Sequence, residues 1–73
     1  MHLNKIILFG IENDPDTENA ETELLRLNGA GFAKVMCPPL VRELYVVPFV
    51  EDEIGEAYYG LSSIKSFVNA RMS

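Results

Sequence analysis

Residues 44–50 read LYVVPFV, and this stretch decides the fold of the chain. Its apolar, largely β-branched and aromatic residues are typical of a strand, but Pro48 stands inside it. Because proline cannot donate to a strand ladder, it is tolerated at the start of a strand or beside an open backbone edge. We therefore predict a strand over residues 45–50, a cis peptide bond between Val47 and Pro48, and an open edge next to that bond.

The residues after this stretch predict a hairpin followed by a helix. Residues 51–55 form an acidic turn, and residues 56–59, EAYY, form a short strand antiparallel to the one before it. Gly60 ends that strand, and Ser62 or Ser63 is a good N-cap for the last helix. The apolar face of this helix is expected to consist of Ile64, Phe67, Val68 and Met72.

The residues before the stretch predict a strand, a helix and a second strand. Residues 5–9, KIILF, lack polar alternation, which is typical of a central strand buried on both faces. Asp14 as N-cap and Pro15 in the first turn predict a helix over residues 15–27 that Asn28-Gly29 stops. The apolar face of this helix is expected to consist of Ala20, Leu24 and Leu27, widened by Leu25.

The second strand is predicted at residues 33–36, and a helix of this length between two strands makes them parallel. Pro38-Pro39 ends the second strand. Residues 40–43 leave room for only one helical turn before the stretch at 44–50. The predicted order is therefore β-α-β-β-β-α.

Composition and charge narrow the function classes. The 73 residues predict a single domain of globular composition, with 48% hydrophobic and 23% charged residues and a net charge of −5. That sign argues against nucleic-acid binding, which depends on cations at phosphates. The N-terminal apolar run is too short for a signal-peptide core or a membrane span, and one cysteine suits a reducing compartment, so we expect a cytoplasmic protein.

Acidic residues are concentrated in one stretch. No Lys or Arg lies between Lys5 and Arg26, where six acids occur: Glu12, Asp14, Asp16, Glu18, Glu21 and Glu23. We interpret this run mainly as a solvated helix face with favourable charge at a helix N-terminus, and alternatively as a docking surface for a basic partner. His2 is the only histidine, so we expect no metal site.

The order of elements resembles the glutaredoxin and thioredoxin-like family. Residues 47–50, VPFV, are similar to that family's strand entered through a proline, and residues 59–64, YGLSSI, to its Gly-Gly-aromatic-Asp-Asp-Leu segment. The resemblance implies a compact α/β fold over residues 1–73, with a four-stranded mixed sheet, helices packed on it and a middle helix that is shortened or absent.

The same resemblance locates a degenerate catalytic segment. The family's Cys-x-x-Cys follows the first strand at a helix start, where the helix N-terminus stabilises a thiolate. The matching residues here are Asp14, Pro15, Asp16 and Thr17. Both sulfurs are missing, so dithiol chemistry is impossible in this chain.

Three functions remain open. The leading hypothesis is a non-catalytic module that binds a protein or extended peptide, possibly a basic one, at Val46, Val47 and Pro48, beside the turn Gly60-Leu61-Ser62-Ser63. The second is a single-thiol redox protein that uses Cys37, for which glutathione is the one cofactor left open. The third is a structural domain that forms a homodimer or a larger assembly. None of the three involves nucleic acid or a membrane.

Overall fold

The computed structural model describes residues 5–27 and 31–72. It shows an α/β arrangement of four strands, two helices and one 3-10 helix. In chain order they are β1 (Ile6–Gly10), α1 (Pro15–Leu25), β2 (Phe32–Met36), the 3-10 helix (Pro39–Glu43), β3 (Phe49–Glu51), β4 (Ala57–Tyr59) and α2 (Leu61–Met72).

The four strands form one mixed sheet in the order β2-β1-β3-β4. β1 runs parallel to β2 and antiparallel to β3, and β4 returns antiparallel to β3. The prediction that the first strand is central and pairs in parallel with the second is confirmed. The hairpin turn is closed by Asp52, whose Oδ1 accepts the amides of Ile54 at 3.0 Å and Glu56 at 2.9 Å.

Both helices pack on the same face of the sheet and share one core with it. Alternate residues of a strand point to opposite faces, so Ile6, Leu8 and Val50 meet the helices. The core is completed by Ala20, Leu24, Ile64, Phe67 and Val68. The prediction that β1 is buried on both faces is wrong, because Ile7 and Phe9 on the other face remain partly exposed.

The start of α1 is as predicted and its end is not. Asp14 is the N-cap and Pro15 is the first helical residue. The helix ends at Leu25, two residues early, because the Arg26 amide bonds Glu23 O and tightens the last turn. Leu25 is 65% exposed and does not widen the apolar face, whereas Leu27 packs against the core. The predicted stop at Asn28-Gly29 lies outside the described residues.

The strand predicted over residues 45–50 is shorter, since β3 begins only at Phe49. The amides of Leu44 and Tyr45 both bond Val41 O at 2.9 Å, which makes them the end of the 3-10 helix. The Val47-Pro48 peptide bond is cis, as predicted. Residues 40–43 form the short helical turn that was expected in place of a full middle helix.

The last helix begins one residue before its predicted caps. Gly60 adopts φ 87°, and its carbonyl accepts the Ile64 amide at 3.0 Å. Ser62 and Ser63 therefore lie in the first turn of α2, and the prediction that either caps the helix is wrong. Phe67 is buried as expected, but Met72 is 50% exposed and does not belong to the apolar face.

Candidate functional site

The predicted site residues come together at one edge of the sheet. β1 and β2 end there and β3 begins there, since Phe9 pairs with both Val35 and Phe49. Two hydrogen bonds extend the sheet at this edge, from Cys37 N to Gly10 O at 2.7 Å and from Gly60 N to Pro48 O at 2.9 Å. The first turns of α1 and α2 begin at the same edge, as expected for ligand sites of α/β sheets.

Val46 and Val47 form an unpaired backbone segment at this edge. Within residues 5–27 and 31–72, no hydrogen bond engages the N–H or C=O of either residue. Val46 is 62% exposed, whereas Pro48 is fully buried and its carbonyl is held by Gly60. The segment is thus fixed at its C-terminal end and open to solvent along its backbone.

The Gly60–Ser63 turn, residues 60–63, lies against this segment. A Cβ on Gly60 would lie 3.6 Å from Val46 Cγ1, so the turn and the segment are in contact distance. The Gly60 amide is already donated to Pro48, and Leu61 packs against the core. Of the four predicted binding residues in this turn, Ser62 is exposed and Ser63 partly exposed.

The segment that matches the dithiol position is a closed polar cluster. Asp14 Oδ2 accepts both the Thr17 amide at 3.0 Å and the Thr17 hydroxyl at 2.9 Å. Thr17 is 4% exposed, and its hydroxyl oxygen accepts the Ile11 amide at 3.1 Å. Pro15 and Asp16 are exposed and take no part in these bonds. The cluster caps α1 and ties it to the end of β1, which is a structural task.

Arg42 completes this cluster and was not predicted from the sequence. Its Nη2 lies 2.5 Å from Asp14 Oδ1, so both carboxylate oxygens of Asp14 are engaged. The pair joins the 3-10 helix to the N-terminus of α1 across 28 residues of sequence. No local pattern indicates a contact of that separation. Glu12 and Asp16 remain the exposed acids near the edge.

Cys37 is partly buried and follows the last residue of β2 at the outer side of the edge. It is the only cysteine in the sequence, so no intramolecular disulfide can form. In the described part of the chain, no group of three His, Cys, Asp or Glu residues could hold a metal ion. His2 lies outside the described residues.

The face of the sheet opposite the helices is largely apolar, and we call it the open face. One row crosses all four strands in register, through Val35, Phe9, Phe49 and Tyr59. The second row consists of Ala33, Ile7, Glu51 and Ala57. The rings of Phe9 and Phe49 stack with centroids 4.7 Å apart, and Tyr59 follows at 5.0 Å from Phe49.

The segment between β2 and β3 adds further exposed apolar side chains. The Tyr45 ring lies 5.7 Å from the Phe49 ring and widens the aromatic cluster beside the middle of the row. In the 3-10 helix region, Leu40 is 66% exposed and Leu44 is 77% exposed, around a shallow hollow of about 250 Å³. Both α-helices lie on the other face of the sheet, so within residues 5–27 and 31–72 no α-helix covers the open face.

A groove between β4 and α2 contains an ion pair and a cation–π contact. It has a volume of about 470 Å³, and Tyr58, Phe67 and Arg71 are among its lining residues. Arg71 binds the Glu53 carboxylate through both guanidinium nitrogens and lies 4.7 Å above the Phe67 ring. The hydrogen bond from Arg71 lowers the pKa of Glu53, while burial and then Asp52 raise the pKa of Tyr58. The guanidinium of Arg71 is thus already paired with the carboxylate of Glu53.

Comparisons with known proteins add no identification. Among the described helices, neither has the length and apolar character needed to cross a bilayer. The chain matches no protein-family model, no curated protein and no solved structure. The geometry of the edge and of the open face is therefore the basis for a proposed function.

Proposed function

We propose that this chain is a non-catalytic binding module of the thioredoxin-like type that takes an extended polypeptide segment at Val46 and Val47. The observation that carries the proposal is the unpaired backbone of these two residues beside the buried Pro48. An open backbone edge is the standard place for a peptide to add as an extra strand, with main-chain hydrogen bonds supplying affinity.

The arrangement of elements supports the family part of the proposal. A parallel β1–β2 pair joined by α1, followed by the β3–β4 hairpin and the closing helix α2, is the order that the resemblance implies. The cis Val47-Pro48 bond stands at the entrance to β3, where the motif VPFV places it. A short 3-10 helix between β2 and β3 is consistent with the shortened middle helix that the resemblance implies.

The proposed partner is an extended segment with basic side chains. Glu12 and Asp16 are exposed close to the edge, while the Asp14 carboxylate is paired with Arg42. Basic residues on the partner would be drawn to the two unpaired acids and would make association faster at low salt. The exposed Val46 side chain offers an apolar contact on the same edge.

The absence of thiols at the helix start supports a binding role over a redox role. Asp14 and Thr17 hold each other and the Ile11 amide, so the position has a structural task. The single-thiol alternative rests on Cys37 alone, which directly follows the outer strand β2 and has no second cysteine to resolve a mixed disulfide. Glutathione would be the cofactor of that alternative.

Peptide selection followed by NMR tests the proposal. A display library of unstructured ten-residue peptides is selected on the protein, and the best binder is titrated into a ¹⁵N-labelled sample. We expect enrichment of Lys and Arg, shift changes at the amides of Val46 and Val47, and slower exchange of at least one of them. Shift changes confined to the helical face, with those two amides unaffected, would contradict the proposal.

A further inference from the structure

We propose that the open face binds the open face of a second copy of this chain, which makes the protein a symmetric homodimer with two sheets packed face to face. This inference is independent of the peptide-binding proposal. It rests on the composition of the open face, on the placement of the charges and on the available area.

The open face has the composition of a buried surface. A mixed sheet that leaves one face to solvent normally presents polar residues there. Of the eight positions in the two rows, only Glu51 is charged. Val35 is 42% exposed and Tyr59 is 45% exposed, at opposite ends of the row that crosses the sheet. Between them, Phe9 is partly exposed and Phe49 is 8% exposed under its neighbouring rings. An apolar cluster that reaches the surface in this way marks an interaction site.

The distribution of charge favours a second copy over a charged partner. The acids of α1 belong to the helix layer, on the other side of the sheet: Asp16, Glu18, Glu21 and Glu23. When two open faces meet, these acids lie on the two outer surfaces, where repulsion between the copies is weakest. An apolar face is also complementary to itself, which a two-fold symmetric contact requires. A basic partner, by contrast, finds only Glu51 on this face.

The outline of the molecule is large enough for a dimer interface. The molecule has extents of 33 × 29 × 17 Å, and the thin dimension is that of one sheet layer and one helix layer. The four strands of the open face, each three to five residues long, cover part of this outline, and the exposed Tyr45 beside Phe49 adds apolar surface. A standard interface takes about 800 Å² from each partner, roughly a sixth of this surface of 4771 Å². Sheets packed face to face lie about 10 Å apart, with side chains such as Phe9 and Tyr59 between them.

Sedimentation velocity with matched lysine variants tests the dimer. We expect the wild-type chain at micromolar concentration to show twice its monomer mass of 8.2 kDa. Val35→Lys places a charge on the open face and should weaken association at least tenfold. Leu25→Lys is the matched control, because Leu25 is 65% exposed on α1 and the change in net charge is the same. The control should remain a dimer.

A second variant and an NMR measurement test the dimer even if Val35→Lys fails to fold. Tyr59→Lys alters the opposite end of the same row, and isotope-filtered NOEs between labelled and unlabelled wild-type copies report contacts between Phe9, Val35 and Tyr59. We expect such NOEs in the wild type and their loss in Tyr59→Lys. A chain that remains a monomer at millimolar concentration overturns the proposal, as does equal association of the Val35 and Leu25 variants. Peptide binding at Val46 and Val47 is read from amide shifts, so the two proposals can fail separately.

Discussion

Gly10 and Thr17 are packed so closely that a Cβ at position 10 would lie 2.3 Å from Thr17 Cγ2. This contact brings the end of β1 against the first turn of α1. It allows the Thr17 hydroxyl to accept the Ile11 amide at 3.1 Å, so the loop between strand and helix is held from its first residue. Thr17 therefore has a packing role as well as a hydrogen-bonding role at the start of α1.

Gly10→Ala should destabilise the fold by about 1–3 kcal/mol, because the added methyl group has to displace a buried side chain in a packed site. The matched control is Gly31→Ala, since a Cβ at Gly31 meets nothing within 4 Å. Urea denaturation of both variants measures the difference. Equal midpoints for the two variants would show that Thr17 moves aside without cost.

Asp14→Ala should lower the free energy of unfolding by about 0.5–2 kcal/mol through loss of the N-cap. Asp16→Ala removes the same charge from the first turn of the same helix and leaves the Thr17 bonds intact, so its effect should be smaller. The difference between the denaturant midpoints of the two variants measures the N-cap bonds together with the Arg42–Asp14 ion pair. A larger loss of stability in Asp16→Ala than in Asp14→Ala would show that Asp14 is not the N-cap of α1.

The sequence predicted most of the fold because its strongest signals are local. The apolar run at residues 5–9, the Asp14-Pro15 helix start and the proline before Phe49 each act through the nearest backbone, and each is found in the structure. The boundaries that were wrong depend on hydrogen bonds across a turn. The bonds from Leu44 and Tyr45 to Val41 end the expected strand early, and no propensity encodes them.

The candidate site was predicted only in part, for a related reason. Residues in sequence motifs, such as Val46 and Val47, could be named in advance. Arg42 could not, because its contact with Asp14 depends on how the chain crosses from β2 to β3. The open face was not predicted, because the apolar run of β1 indicated a strand buried on both faces. The chain has only two long helices, which can cover one face of a four-stranded sheet, so the apolar residues on the other face of β1 remain exposed.

The Glu53–Arg71 pair should make stability depend on pH in the acid range. The hydrogen bond from Arg71 lowers the pKa of Glu53 in the folded state, so the contribution is present above the unfolded pKa and is lost as pH falls through the folded one. Both side chains are about one-third exposed, which limits the effect to under about 1 kcal/mol.

Glu53→Gln isolates this contribution. Urea midpoints measured from pH 6 down to pH 3 should show a smaller decline in the variant than in the wild type, because one group that gains protons on unfolding has been removed. Glu56→Gln removes a charge from the same turn without affecting Arg71, and serves as the control. Parallel profiles for wild type and Glu53→Gln would mean that the pair adds nothing to stability in solution.

The protein should not turn over disulfide substrates. Glutathione could resolve a mixed disulfide on Cys37, so this prediction rests on the start of α1, where Asp14 and Thr17 stand and no thiol is stabilised by the helix N-terminus. Incubation with a glutathionylated peptide, glutathione and glutathione reductase should consume NADPH no faster than the Cys37→Ser variant does. Rapid consumption that Cys37→Ser abolishes would establish the single-thiol function in place of the binding role.

Val46→Pro should weaken the peptide selected at the edge by at least tenfold, because proline removes an N–H that the added strand would use. Val46→Ala keeps that N–H and loses only the exposed side chain, so it should bind within a few-fold of wild type. Circular dichroism and the ring-proton shifts of Phe49 report whether each variant keeps its fold. Isothermal titration with the same peptide then compares the affinities. If Val46→Ala loses as much affinity as Val46→Pro, recognition runs through the side chain, and the backbone-pairing mode is wrong.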